Sequence, residues 1–417
     1  MDRQRIGILV AALTVLLALS GAGTVPAARG AAAYTITEIG TLGGPTSLAT
    51  DVNATGQVVG AADTAAGQSH AFLWADGVLT DLGTLGGPAS LAEAINARGQ
   101  VVGMATTAPG QQLGGPGSHA FLWQGGRMTD LGTLGGPASE ATDINDAGQV
   151  VGGATLAPGQ QQNATGNHGF LWAEGRLADL GALPGGTTSR ANGLNNRGQV
   201  VGISSGGTGT PLAAVRWQSG QPTDLGALPG AGVMRAFAIN DAGQVAGRAA
   251  DAPEQARPDT CPAARRCTPV LYRDGTWVAL PTPPDAPNGA AFALNNAGQV
   301  VGAAQTAQGA VRALLWNGGA ATDLNALLPA ESGWVLTVAW GINDAGQIVG
   351  AGTHNGQQRG FLLTPAAMPG LPNTGGGGTR GYVPRAGWPL VGAAGLALLA
   401  AGARRTARRR AGAARRR

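Results

Sequence analysis

The chain has 417 residues, of which 72 are Gly and only 12% are charged. Its net charge of +4 comes from the two ends, because residues 34–374 hold 14 Arg against 22 acidic residues. Nucleic-acid binding needs a basic surface, so this acidic body excludes nucleic acid as an expected partner. High Gly content and low charge favour short strands joined by tight turns.

The first 33 residues have the composition of a secretory signal peptide. Arg3 and Arg5 precede an apolar run over residues 6–19, and the small side chain of Ala33 suits a cleavage site. We therefore predict a signal peptide over residues 1–33 and an exported mature chain. An uncleaved N-terminal anchor is the alternative.

A short core of the form GQ[VI][VA]G occurs seven times, beginning at Gly56, Gly99, Gly148, Gly198, Gly243, Gly298 and Gly346. Each repeat divides into four strand-like pieces separated by turns, as in "ATDIN", "QVVGGA", "HGFLW" and "RLADLG" of residues 141–181. Four short strands in each of seven repeats of roughly 48 residues are typical of a β-propeller.

The first turn of each repeat has a physical basis in its sequence. Asn stands three residues before the core Gly in all seven repeats, at Asn53, Asn96, Asn145, Asn195, Asn240, Asn295 and Asn343. An Asn side chain bonds to nearby backbone and begins a turn, and the Gly supplies the positive φ that closes a three-residue hairpin loop. Ala stands seven residues before the Gly and mostly small residues stand five before it, which suits a first strand crowded near a central axis.

The ends of the repeat region predict how the ring closes. Residues 34–42 resemble the fourth-strand phrase of the first repeat, whereas the seventh repeat stops after its third strand. We predict an all-β, seven-bladed β-propeller of four-stranded blades over residues 34–366, closed by the N-terminal strand. Closure would remove exposed strand edges. An open β-solenoid or another grouping of the blades is the alternative.

The C-terminal region combines a pentapeptide, an apolar segment over residues 388–403 and eight Arg within residues 404–417. The pentapeptide is of LPxTG type and consists of Leu371, Pro372, Asn373, Thr374 and Gly375. This order resembles the sorting signal of Gram-positive surface proteins, in which a sortase cuts between Thr and Gly and joins the Thr to the cell wall.

The resemblance implies a linker and motif over residues 367–375, a spacer over 376–387, a transmembrane helix over 388–403 and a cytoplasmic tail over 404–417. It also implies that the sortase and cell-wall peptidoglycan are partners and that the protein is displayed on the wall of a Gram-positive-type bacterium. A plain membrane tail is the alternative.

The repeats carry a second resemblance. His70-Ala71-Phe72 and His119-Ala120-Phe121, with the variant His168-Gly169-Phe170, resemble the bacterial extracellular HAF-repeat family. The resemblance covers residues 34–366, although repeats four to seven depart from the tripeptide. It implies an extracellular repeat protein and no defined activity.

The sequence offers no recognised catalytic, cofactor or metal motif. The His residues and the Asp of the "TDLG" phrases recur from repeat to repeat, which favours structural roles. The calcium-like phrase at residues 143–148 lacks an oxygen ligand at its fifth position and a closing Glu. We therefore predict a protein that is not an enzyme and that needs no cofactor or metal. Cys261 and Cys267, in the longest insertion, are predicted to form a disulfide.

The loops between the second and third strands vary most, and variable loops on a rigid scaffold commonly carry binding. We predict a surface binding or adhesion module whose ligand is a polar extracellular glycan or protein. The alternatives are a propeller enzyme acting on an extracellular polymer and a purely structural wall component.

Overall fold

The computed structural model describes residues 33–160, 167–207, 211–251, 266–329 and 331–366. These residues form seven four-stranded antiparallel sheets, and the first strands of successive sheets contact one another in a closed cycle. The predicted all-β propeller of seven four-stranded blades is therefore confirmed.

In blades 1 to 6 the strands follow in chain order from the axis outwards. Blade 1 has β2 (Gly43–Val52), β3 (Val58–Thr64), β4 (Ser69–Ala75) and β5 (Val78–Asp81). Blade 2 has β6 (Ser90–Ile95), β7 (Val101–Thr106), β8 (Ser118–Gln124) and β9 (Arg127–Asp130). Blade 3 has β10 (Ser139–Ile144), β11 (Val150–Thr155), β12 (Asn167–Ala173) and β13 (Arg176–Asp179). Blade 4 has β14 (Ser189–Leu194), β15 (Val200–Ser205), β16 (Leu212–Gln218) and β17 (Gln221–Asp224).

Blade 5 has β18 (Val233–Ile239), β19 (Val245–Ala250), β20 (Cys267–Arg273) and β21 (Thr276–Ala279). Blade 6 has β22 (Asn288–Leu294), β23 (Val300–Gln305), β24 (Val311–Asn317) and β25 (Ala320–Asp323), followed by a 3-10 helix over Leu324–Leu327. Blade 7 has β26 (Trp334–Ile342), β27 (Ile348–His354), β28 (Gln357–Pro365) and, outermost, β1 (Tyr34–Glu38).

The closing strand β1 pairs with β28 along its whole length, from Tyr34 opposite Pro365 to Glu38 opposite Phe361. Side chains add to this pairing, because Arg359 Nε donates to Glu38 Oε1 over 2.9 Å. The N-terminal strand thus completes blade 7, as the sequence predicts, and covers an edge that would otherwise be unpaired.

The first strands are as crowded as their small residues predict. The Ala seven residues before each core Gly is fully buried in every blade: Ala49, Ala92, Ala141, Ala191, Ala236, Ala291 and Ala339. A Cβ placed on Gly193 would lie 2.9 Å from Ala238 Cα in the next blade, so neighbouring backbones meet here with no room for a larger side chain.

Every first strand also contains a β-bulge that the sequence did not reveal. In blade 3, Ala141 pairs with Gly152 and Asp143 pairs with Val151, which leaves Thr142 as the extra residue, and the other six blades repeat this shift. The bulge explains the last Gly of the repeated core, since a Cβ on Gly152 would overlap the carbonyl oxygen of Glu140.

The hydrophobic core lies between blades rather than within them. Phe72 of blade 1 packs in one cluster with Val349 and Leu362 of blade 7, and Phe121 of blade 2 packs with Val59 of blade 1. These Phe side chains are fully buried, and each such burial stabilises the fold by about 1.5–3 kcal/mol. The Phe of the His-Ala-Phe tripeptide therefore packs one blade against its neighbour.

Residues 1–32 of the predicted signal peptide, Cys261 and everything from residue 367 onwards lie outside the described residues. The predicted sorting motif and transmembrane helix are among these, and so stay predictions. Within the described ranges, no helix has the length and apolar character needed to cross a bilayer. Cys267 is buried at the start of β20, and its bridge to Cys261 stays a prediction.

Candidate functional site on the propeller axis

Seven Asn side chains form a closed ring of hydrogen bonds around the axis. The Nδ2 of each turn Asn donates to the backbone carbonyl of the turn Asn in the next blade, over 2.9–3.2 Å, and the last bond runs from Asn343 back to Asn53. Each side chain also accepts backbone N–H groups of its own turn, as Asn195 Oδ1 does from Arg197 and Gln199. The Asn that the sequence assigned to turns therefore also joins the blades.

The ring surrounds an axial cavity of about 230 Å³ at the end of the propeller that carries the first turns. All seven blades contribute to its wall, which includes Asp51 and the turn Asn residues. The variable loops between second and third strands lie at the opposite end of the blades, because the strands are antiparallel. The axial cavity and the predicted binding loops are thus on different faces.

The bulge residues form a second, asymmetric ring about the axis. All seven are half-buried, and in chain order they are Thr50, Glu93, Thr142, Asn192, Phe237, Phe292 and Trp340. Blades 1 to 4 contribute polar residues, whereas blades 5 to 7 contribute three aromatic rings. The ring centroids of Phe237 and Phe292 lie 5.7 Å apart, and those of Phe292 and Trp340 lie 4.5 Å apart.

The polar members of this ring contact neighbouring blades. Thr50 Oγ1 donates to the Ala92 carbonyl over 2.9 Å, and Asn192 Nδ2 donates to the Ala236 carbonyl over 2.7 Å. A β-bulge re-aims the side chain of its extra residue. Here the extra residue differs from blade to blade, whereas the residue before it is Ala in all seven blades.

Two carboxylates stand next to the bulge, at the position that holds Ala or Gly in the other five blades. Asp51 Oδ2 accepts the Ile95 N–H of blade 2 over 3.0 Å, and Asp143 Oδ2 accepts the Leu194 N–H of blade 4 over 2.7 Å. Their other oxygens accept the next N–H of their own strands. A carboxylate has about four acceptor sites, so each of these two could accept further hydrogen bonds.

Burial raises the pKa of Asp51 to about 6 and that of Asp143 to about 7, although the backbone N–H groups lower both. The negative charge of Asp51 raises the pKa of Asp143 further, so the two groups feel each other across the axis. Carboxyl groups with pKa values near neutrality are common in active sites. The sequence did not reveal this pair, because Asp51 and Asp143 stand five residues before the core Gly, a position that holds mostly small residues and suggested only crowding.

The recurring His and Asp residues have the structural role that the sequence predicts. His70, His119 and His168 begin the third strands of their blades, and each places Nδ1 within 2.7–2.9 Å of the fourth-strand Asp. Burial raises the pKa of Asp130, but the hydrogen bonds from His119 and Gly132 lower it by more, so this pKa lies below its usual range. Each pair fastens two outer strands and lies away from the axis.

No three His, Cys, Asp or Glu side chains come close enough to bind a metal ion within the parts of the chain that the structure describes. What the first strands offer instead is two carboxyl groups with raised pKa values, on blades 1 and 3, and an aromatic wall on blades 5 to 7.

No protein-family model matches the sequence, and none of the curated proteins compared with it does either. Solved structures do resemble the fold. The β-propeller domain of the Trilobed protease from Pyrococcus furiosus, described as having an open velcro topology, is 9% identical with a TM-score of 0.46, over 79% of this chain and 98% of that one. A puromycin-hydrolysing peptidase of Mycobacterium tuberculosis is 12% identical with a TM-score of 0.46, over 81% of this chain and 55% of that one.

A gluconolactonase from Xanthomonas campestris is 11% identical with a TM-score of 0.36, over 82% of this chain and 99% of that one. These likenesses concern the fold, and the chain spans about half the length of the peptidase. The prediction that the protein is not an enzyme is corrected here: the solved propellers of similar fold belong to a protease, a peptidase and a gluconolactonase, so this fold does not exclude an enzyme. It relied on the uniformity of the repeats, whereas a propeller can carry its chemistry at single positions on the axis.

Proposed function

We propose that the protein is a propeller enzyme that hydrolyses a polar extracellular polymer, most simply a glycan, at the axial site. The observation that carries the proposal is the location of the residues that break the repeat. Asp51, Asp143 and the three aromatic bulge residues belong to single blades, and all of them lie on the first strands that surround the axis.

The aromatic wall supports a sugar-like substrate. Phe237, Phe292 and Trp340 come from three consecutive blades and form a continuous apolar surface on one side of the axis. The opposite side carries hydroxyl, amide and carboxyl groups. A pyranose ring has apolar C–H faces and a polar edge, so it suits a site with one aromatic side and one hydrogen-bonding side.

The carboxyl pair supports acid–base hydrolysis. Because burial and the charge of Asp51 raise the pKa of Asp143 to about 7, Asp143 keeps its proton to a higher pH than Asp51, whose pKa is about 6. The protonated carboxyl would donate its proton to the leaving-group oxygen as the glycosidic bond breaks. The ionised carboxylate would take a proton from the attacking water, which forms the new C–O bond. One water is consumed and two hydroxyl-ended products are released.

The test is to incubate the full chain with a panel of neutral and acidic polysaccharides, including peptidoglycan, and to measure new reducing ends. We expect activity with a narrow bell-shaped pH profile, and a loss of at least about 100-fold in Asp51→Asn and in Asp143→Asn. Asp241→Asn, which removes a carboxylate from the wall of the axial cavity but lies on no first strand, is the matched control and should retain activity.

Two results would contradict the proposal. One is full activity in both carboxyl variants, which would move the chemistry elsewhere. The other is an absence of cleavage with every polysaccharide while a polysaccharide still binds and Phe292→Ala abolishes that binding, since the axial site would then bind without reacting.

We also propose that the protein is displayed on the cell wall, to which it is attached through Thr374. The signal-like first 33 residues and the LPNTG pentapeptide, apolar segment and Arg-rich tail support it. In a Gram-positive host, Thr374→Ala should shift the protein from the wall fraction to the membrane or the medium. Unchanged wall attachment would exclude sortase processing at this motif.

A further inference from the structure

Blade 4 breaks a charge pattern that most other blades keep. In blades 1 to 3, the fourth-strand Asp is paired with a His of the third strand. In blades 6 and 7, the same two positions hold Arg312 with Asp323, 4.0 Å apart, and Arg359 with Glu38, 2.9 Å apart. Blade 4 keeps the carboxylate, as Asp224, but has Ala213 where the basic residue stands elsewhere.

The strand register fixes this equivalence. Val215 pairs with Asp224 in blade 4 as Phe72 pairs with Asp81 in blade 1, and Ala213 precedes Val215 by two residues as His70 precedes Phe72. A methyl group therefore stands where blade 1 has an imidazole. Asp224 Oδ1 still accepts the Gly226 N–H over 2.8 Å, so the carboxylate keeps its hydrogen bond to the turn but lacks the basic side chain that stands beside it in other blades.

A cavity of about 300 Å³ occupies the junction of blades 4 and 5 at this point. Its wall includes Leu183, Leu212, Ala213, Asp224, Val233 and Met234. Met234 is a second departure from the repeat, because the equivalent residue in blades 2 to 4 is a Ser whose hydroxyl donates to a backbone carbonyl that follows the last strand of the preceding blade. The wall is mainly apolar, and Asp224 is its one charged group among the residues that the structure describes there.

We propose that this cavity is a binding site for an alkylguanidinium group, such as the side chain of an arginine in a peptide or protein. The protein itself contains a model for the contact, since Arg359 Nε donates to Glu38 Oε1 over 2.9 Å at the equivalent position of blade 7. An arginine entering the cavity would place its methylene chain against Leu212 and Met234 and its guanidinium on Asp224. A guanidinium is planar and weakly hydrated, so it suits a carboxylate beside apolar surface.

The test uses the full chain and N-acetylargininamide, with binding followed by isothermal titration or NMR shifts. N-acetylcitrullinamide, which has nearly the same shape but no charge, is the matched ligand control. We expect the arginine compound to bind and Asp224→Asn to weaken it by about tenfold or more, since a charged hydrogen bond is lost. Asp179→Asn, at the equivalent blade 3 carboxylate whose His168 is in place, should leave the affinity unchanged.

Ala213→His restores the internal partner and should abolish binding while raising the melting temperature slightly. If that variant does not fold, Asp224→Asn decides the question by itself. A tripeptide with a central Arg that binds more tightly than the amide assigns the site to peptides, whereas equal affinity assigns it to small guanidinium compounds, and both results support the site. Equal binding of the citrulline compound, unaltered binding by Asp224→Asn, or no binding at about 10 mM overturns the proposal.

Discussion

Replacing Asn195 with Ala should break the hydrogen bond that links blades 4 and 5 in the Asn ring and lower the stability of the whole propeller. The Asn195 side chain makes four hydrogen bonds: Nδ2 donates to Gln199 Oε1 over 2.8 Å and to the Asn240 carbonyl over 3.0 Å, and Oδ1 accepts the N–H groups of Arg197 and Gln199. The residue is only 3% exposed, so water cannot fully replace these partners.

A net contribution of about 1 kcal/mol per bond, with some rehydration of the partly exposed Gln199, gives an expected loss of about 3 kcal/mol in the free energy of unfolding. Equilibrium unfolding in urea, followed by far-UV circular dichroism, measures this loss as a lower midpoint. Asn195→Asp keeps the acceptor and the shape but loses the two donated bonds, so it should also lower the midpoint.

Asn196→Ala is the matched control. Asn196 lies next to Asn195 in the same turn and also bonds to neighbouring blades, through Asp146 and Asp241, but it is exposed. Water can replace its bonds, and we expect a loss of less than about 1 kcal/mol. If the two Ala variants shift the unfolding midpoint equally, burial does not strengthen the ring and the reasoning is wrong.

Three further predictions concern the bulge, the closing strand and the buried carboxyl groups. Gly152→Ala should destabilise the propeller by about 2 kcal/mol or more, because the new Cβ meets the Glu140 carbonyl. Thermal unfolding measures this loss of stability, and an unaltered melting temperature would show that the bulge does not require Gly at this position. Deleting residues 34–38 should leave β28 with a bare edge and cause aggregation or earlier melting, and unfolding like that of the full chain would contradict closure by β1. Burial raises the pKa of Asp51 to about 6 and that of Asp143 to about 7, so between about pH 4 and pH 7 the folded chain retains protons that the unfolded chain has released. The free energy of unfolding should therefore fall as the pH rises through this window, and Asp143→Asn should flatten the fall, as denaturation at a series of pH values would reveal.

The sequence by itself determined the architecture. The repeated core occurs seven times, each time with an Asn, a Gly in the turn and four strand-like pieces. One such repeat would be weak evidence for a fold, but seven together indicate a propeller. The φ of the turn Gly is positive in all seven blades, as at Gly56 and Gly346. The N-terminal strand could be matched to blade 7 because its phrase resembles a fourth strand.

Only the tertiary structure decided which residues lie together at the axis and between blades. The β-bulge depends on how two strands pair, and nothing in the composition of Ala141–Asp143 announces it. Asp51 and Asp143 are 92 positions apart in the chain, and they become one electrostatic site because ring closure brings blades 1 and 3 to a common axis. Likewise, Ala213 and Met234 are unremarkable in sequence, and only strand register and blade packing make them the walls of one cavity. A repeat pattern describes the residues that the blades share. These sites depend instead on residues that occur in single blades, and on the blade packing that brings those residues together.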